Sequence, residues 1–186
     1  MSDRAEKEAK QEAQFRAAMM REKEYMEQRE FAVHYSQSAA RDDWKQGNPR
    51  EHVKLPTYMD CSSYYTYLVW RGMWETFGEE LDEFDPSGYH WNAIGNSTSI
   101  ANHAKAAHRV VNLLDARKGD GAVWSGHHVA VMCQRPGKDP KGPEDHLGMA
   151  ATVSSHGGES GPYPLSLQAS AAYQGVSPIL VNSWAL

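Results

Sequence analysis

The order of patterns along this 186-residue chain predicts an α+β fold, with helices first and a small antiparallel sheet after them. Three observations carry that reading. Residues 2–32 are rich in Ala, Glu, Lys, Arg, Gln and Met and contain neither Gly nor Pro, the composition of a long helix. Asp60 to Phe77 is an apolar and aromatic run too long for a strand, opened by a capping residue and closed by Gly78. After Gly119, short alternating runs are separated by Gly- and Pro-rich stretches.

Each element follows from local chemistry. In the first helix, Phe15, Met19, Met26 and Val33 recur at spacings of four and seven and fall near one face. Such a thin stripe lies on the body of the protein or on a partner, or forms a coiled-coil dimerisation arm. "KQGNPREHVKLPT", from Lys45 to Thr57, is a loop by its Gly and Pro. Asp60 to Phe77 is ambiguous by composition, because its Tyr, Thr and Val favour strand; Asp60 as N-cap and the length decide for helix. "FDPSGYHWNAIGNSTS" is irregular, and "SIANHAKAAH" is a short helix capped by the Ser97–Ser99 cluster. "ARKGDGAVWSG" is a turn feeding a strand. "HHVAVMCQ", "MAATVSS" and "VSPILVNSW" are further strands, and "RPGKDPKGPEDHLG" is a long loop. No internal repeat is visible.

Composition removes some classes of function. The net charge is −5, from 19 basic and 24 acidic residues, which argues against nucleic acid as the partner because phosphate binding needs a basic face. No apolar run approaches the roughly 18 residues of a membrane span. "MSDRAEKEAKQEAQ" lacks the apolar segment of a signal peptide. The expectation is a protein made in a cytoplasm with reduced thiols. Two cysteines make no disulfide framework, although counting alone leaves a Cys61–Cys133 bridge open.

Cys61 stands at the first turn of the second helix, in "YMDCSSYYTYLVW". Unpaired N–H groups and the helix dipole stabilise a thiolate there and lower a thiol pKa. Asp60 caps the helix, and Ser62 and Ser63 keep the turn polar. Backbone N–H groups near such a nucleophile can receive an oxyanion. Read alone, a lone cysteine is more often structural, and Cys133, in mid-strand between Met132 and Gln134, has that character.

A nucleophilic cysteine needs a base. Of nine histidines, most sit in loops. His128 opens the strand "HVAVMC", and alternation places it with Ala130 and Met132, opposite Val129, Val131 and Cys133. His156 ends the next strand, so neighbouring antiparallel strands can set the two imidazoles side by side. Either one alone is more often a satisfied surface or core residue. Cys61, His128 and His156 also form a conceivable zinc set, but no HxxxH or CxxC pair supports it.

The ordered series "DCSS", "GD" before a strand, "HVAV" and "SHG" resembles the NlpC family of papain-like cysteine peptidases, especially phage cell-wall lysins. The resemblance covers about residues 32–184 and implies a papain-like fold, helices packed on a small antiparallel sheet. On it, Cys61 matches the nucleophile, His128 the base and His156 the orienting residue; Gly119 and Asp120 match the turn. "VHYSQSAARDDW" is similar to the upstream segment whose tyrosine helps position the site, which makes Tyr35 the candidate, with Ser62, for oxyanion and positioning roles. Three features depart from the pattern: "GDGAVW" lacks the bulkier residue after the aspartate, the hairpin loop 134–147 is long, and helix 2–32 lies outside the family core.

The resemblance implies a charged helical arm over 1–32 and a catalytic domain over 33–186. It implies a hydrolase of amide bonds in peptidoglycan peptides, acting on the cell wall after synthesis in a host cytoplasm, or carried on a virion. No cofactor and no metal is implied; the partner is the wall peptide, with self-association or docking through the first helix. The rivals are a muramoyl–alanine amidase with the same site, a phage structural or binding module on the same fold, and a zinc-dependent amidase.

Overall fold

The computed structural model describes residues 3–29, 32–38, 56–78, 96–133, 151–155, 162–166 and 174–184, with the backbone alone for 151–155 and 162–166. The class is α+β, with three α-helices and a small antiparallel sheet among the described residues. The expected loops at 45–55 and 135–148 and the irregular stretch 84–95 lie outside the described residues.

Helix α1 spans Asp3–Glu27, shorter than the run 2–32 suggested. Its stripe is where the spacing placed it: Phe15, Met19, Met26 and, past the helix end, Val33 are all 0% exposed. They share one core with Tyr64, Tyr65, Leu68 and Met73 of helix α2, Cys61–Phe77. Gly72 makes the approach possible. A Cβ there would lie 2.7 Å from the Phe15 ring and 2.8 Å from Met19, closer than real Cβ contacts allow. Set apart in the sequence as an arm, α1 is therefore packed into the same core as α2. This is the first of the alternatives the stripe allowed, a helix lying on the body of the protein.

The α1–α2 contact also buries charge. Glu22 and Arg71 are 4% and 3% exposed, with 3.6 Å between carboxylate and guanidinium. The Tyr67 hydroxyl donates to Glu22 at 2.7 Å, and Arg71 reaches Glu75 at 3.2 Å. Burying this pair is tolerable because each charge has several partners.

Among the described residues the sheet has six strands in the order β3-β8-β4-β5-β6-β7, each neighbour antiparallel. These are β3 (Val110–Val111), β4 (Gly121–Trp124), β5 (His128–Met132), β6 (Ala151–Ser155), β7 (Pro162–Ser166) and β8 (Ile179–Val181). Val123, Val129, Val131 and Val181 join the core of α1, α2 and helix α3, Ser97–Ala106, as the alternation requires. Ala122, Trp124, Ala130, Met132 and Leu180 form a second buried cluster. The cap of α3 is Asn96, whose side chain accepts from the Ser99 N–H at 2.9 Å, and not the Ser97–Ser99 cluster expected. Two-residue strands β1 (His34–Tyr35) and β2 (Tyr58–Met59) pair in parallel.

Asp120, in the Gly–Asp turn, ties the layers together. Its carboxylate accepts from Arg16 of α1 at 2.7 Å, from the Arg117 N–H at 2.8 Å and from the Ser183 N–H at 3.3 Å. Burial pushes this carboxyl up, and the Arg16 guanidinium opposes that shift. Gly119, at φ 89°, takes the left-handed conformation the turn needs. Among the described residues, no helix is long and apolar enough to cross a membrane.

Candidate functional site around Cys61

Helix α2 begins as its sequence indicates. Asp60 is the N-cap, accepting from the Ser63 N–H at 2.7 Å, while the Ser63 hydroxyl accepts from the Asp60 N–H at 2.9 Å. This reciprocal capping box holds the first turn rigid and leaves Cys61 as the first helical residue. The Ser62 hydroxyl donates to Asp60 at 2.9 Å, so this side chain serves the cap. Toward the sulfur, Ser62 presents its backbone N–H.

Three main-chain N–H groups bear on the Cys61 sulfur: those of Val129, Ser62 and Cys61 itself. Val129 belongs to β5, so the thiol rests against the strand one peptide unit past His128. Cys61 is 9% exposed. Burial, with Asp60 adding to it, pushes its pKa up to about 11, and the three N–H groups only moderate the rise. The expected lowering by the helix terminus is thus outweighed by desolvation, and the resting thiol is protonated at neutral pH.

His128 is 5% exposed, at the closing pair of the β4–β5 hairpin opposite Trp124. Its neighbour His127 is exposed in the turn. Tyr35 lies far from Cys61 in the sequence but near it in the fold. The parallel β1–β2 pair sets Tyr35 beside Met59, two residues before the cysteine, and the Ser36 N–H donates to the Met59 carbonyl at 2.9 Å. The Tyr35 hydroxyl accepts from Gln37 at 2.7 Å. His156 lies outside the described residues.

Both cysteines are free thiols, which removes the Cys61–Cys133 bridge that counting left open. Cys133 packs partly buried against the helical core, its pKa raised to about 11 chiefly by burial. No group of three or more metal-ligating side chains occurs among the described residues. Sequence reasoning missed the Val129 main chain and Trp124. The hairpin register, read from "GAVWSGHHVAV", would have set Trp124 opposite His128, whereas nothing local in the sequence brings Val129 to Cys61.

Comparisons with protein-family models, with curated proteins and with solved structures find no match to this chain.

Proposed function

We propose that this protein is a thiol hydrolase of the NlpC-type papain-like class that cleaves an amide bond in peptidoglycan peptides, a phage lysin in its setting. The observation that carries the reading is the place of Cys61: first residue of a capped helix, its thiol facing N–H groups of α2 and of Val129 in β5, with a buried histidine as the residue before Val129 in that strand. Such a thiol needs a base, since burial keeps it protonated. In the proposed reaction His128 takes the thiol proton as the sulfur bonds to the amide carbon. The carbonyl oxygen, now an oxyanion, is received by N–H groups at the helix start. His128 then gives the proton to the leaving amine, and a water activated by the same imidazole hydrolyses the thioester.

The proposal gives His156 the role of fixing the His128 tautomer. What supports it is that β5 and β6 are antiparallel neighbours, Val131 pairing with Val153 and Met132 with Thr152. Tyr35, brought close through Met59, is proposed to line the substrate side of the thiol.

The test is digestion of purified bacterial walls, with mass spectrometry of the soluble products. Wild-type protein should release fragments with one new amine per cut, and C61A should release none. Fragments ending at the lactyl–alanine bond would assign the amidase form of the same chemistry. Full activity in C61A would overturn the reading, and loss of activity to a chelator with recovery on zinc would favour a metalloenzyme.

A further inference from the structure

We propose that Trp124 is a positioning residue for His128, a role that rests on the cysteine–histidine reading above. The two residues are directly opposed across the β4–β5 hairpin, and opposed residues of antiparallel strands project to the same face. Their ring centroids are 5.7 Å apart at an interplanar angle of 41°. Trp124 is 1% exposed, and its indole N–H donates to the Val176 carbonyl at 2.8 Å. Burial together with that hydrogen bond leaves the indole one orientation, so it is a fixed wall for the imidazole.

A fixed wall matters here for two reasons. The Cys61 thiol bears on the main chain of Val129, the residue after His128 in β5, and in the proposed reaction the His128 ring must meet that thiol, so small rotations of the ring change its aim. A misplacement of about 1 Å can lower a rate on the order of 10²-fold. The indole is also a π-surface beside a ring that becomes cationic when it takes the thiol proton, and aromatic faces attract cations. Sheet packing alone would be served as well by any large apolar residue at position 124.

The test uses the full chain with Cys133→Ser, so that Cys61 is the one thiol. Three quantities are measured: the rate of Cys61 alkylation by iodoacetamide against pH, wall hydrolysis as separate kcat and KM, and the NMR shifts of the His128 ring protons. Trp124→Phe keeps a ring, and Trp124→Met keeps apolar bulk without one. The expected result is an upfield ring-current shift of His128 that W124F retains in part and W124M loses. With it, kcat should fall within about tenfold in W124F and on the order of 10²-fold in W124M, with KM little changed. Alkylation near neutral pH should slow in H128A and W124M alike. Slow alkylation in H128A with a wild-type rate in W124M would overturn the positioning role alone. An unchanged rate in H128A would overturn the cysteine–histidine reading and this role with it. If W124M does not fold, the wild-type shift and W124F decide: no upfield shift, or full activity in W124F without one, overturns the proposal.

Discussion

The Cys61 thiol at the start of α2 bears on the main chain of Val129 at the start of β5, whose N–H is one of the groups that moderate the rise of the thiol pKa. The same contact limits what removing the sulfur does to the fold.

Cys61→Ala should cost about 1 kcal/mol of stability, the scale of one neutral hydrogen bond, because sulfur is a weak acceptor and the cap on Asp60 is untouched. Thermal unfolding should therefore shift by only a few degrees, while wall hydrolysis is lost. Cys61→Ser should be nearly as inactive, since a hydroxyl at this site is harder to ionise than a thiol. A C61A protein that no longer unfolds cooperatively would mean that the thiol is structural.

Stability should fall as the pH rises from about 9. Both thiols have an ordinary value of 9.0 and are raised to about 11 in the folded chain, chiefly by burial. Between those values the unfolded chain has released protons that the folded chain still holds, so rising pH favours unfolding. Two units correspond to at most about 2.7 kcal/mol for each thiol. Urea midpoints from pH 7 to 10.5 should show the decline, and C61A/C133A should flatten it. Tyr64, also raised by burial, should leave some slope in the double variant. An identical slope in both proteins would show that the thiols ionise normally.

Truncation of α1 should unfold the protein. Phe15, Met19 and Met26 contribute fully buried side chains to the main core, and losing even one such residue to Ala typically costs about 2–5 kcal/mol. Gly72→Leu tests the same contact with the chain intact, because a side chain there must displace the Phe15 ring. Circular dichroism and a thermal melt on both variants should show large losses. A cooperative, active protein lacking residues 3–27 would show that α1 is dispensable.

What the sequence made legible was local, and what it hid was tertiary. The bounds of α2 were readable because Asp60 and Gly78 act on the backbone beside them. The alternation of "HVAVM" placed Val129 and Val131 on the helical face because strand period does not depend on partners. Strand β7 was missed: its "PYPLS" contains two prolines, which argue against a strand, and it is tolerated at the end of the strand order, where a missing N–H matters less. The apolar stripe of α1 was legible, and its burial matches the reading that it lies on the body, but its partner was not, because the close approach depends on the absence of a side chain at Gly72. For the site, the helix start pointed to Cys61, but the direction of its pKa did not follow, since burial is a property of the assembled fold.

Arg16→Ala should be more damaging at pH 7 than Asp120→Asn. Asp120 is almost wholly buried, and without the guanidinium its carboxylate keeps only backbone donors. Breaking a buried pair this way costs roughly 3–5 kcal/mol. In R16A the folded-state pKa of Asp120, already raised, should rise further, so the folded chain takes up a proton more readily than the unfolded one. The deficit of R16A relative to wild type should therefore shrink as the pH is lowered from 7 toward 5. Denaturant midpoints across that range check it, and a deficit that is constant with pH would place the loss in packing.

The histidines give the sharpest test of the proposed site, because neighbours in the sequence should behave differently. His127 is exposed in the hairpin turn, whereas His128 is buried opposite Trp124. His127→Ala should leave hydrolysis within a few-fold of wild type. His128→Asn should be inactive, since nothing else at the Cys61 sulfur can take its proton in the proposed reaction. His156, proposed to accept the hydrogen bond from the far nitrogen of His128, needs an acceptor and not an imidazole as such. His156→Asn should thus keep substantial activity, while His156→Ala should lose roughly one to a few powers of ten, the scale of removing the third member of a triad. Wall-hydrolysis rates for the four variants, with thermal melts to exclude unfolding, decide it. An inactive H127A beside an active H128A would move the site to the other face of the strand and overturn the assignment of the base. Equal losses in H156N and H156A would show that His156 acts through its imidazole, by proton transfer or charge, and not as an orienting acceptor.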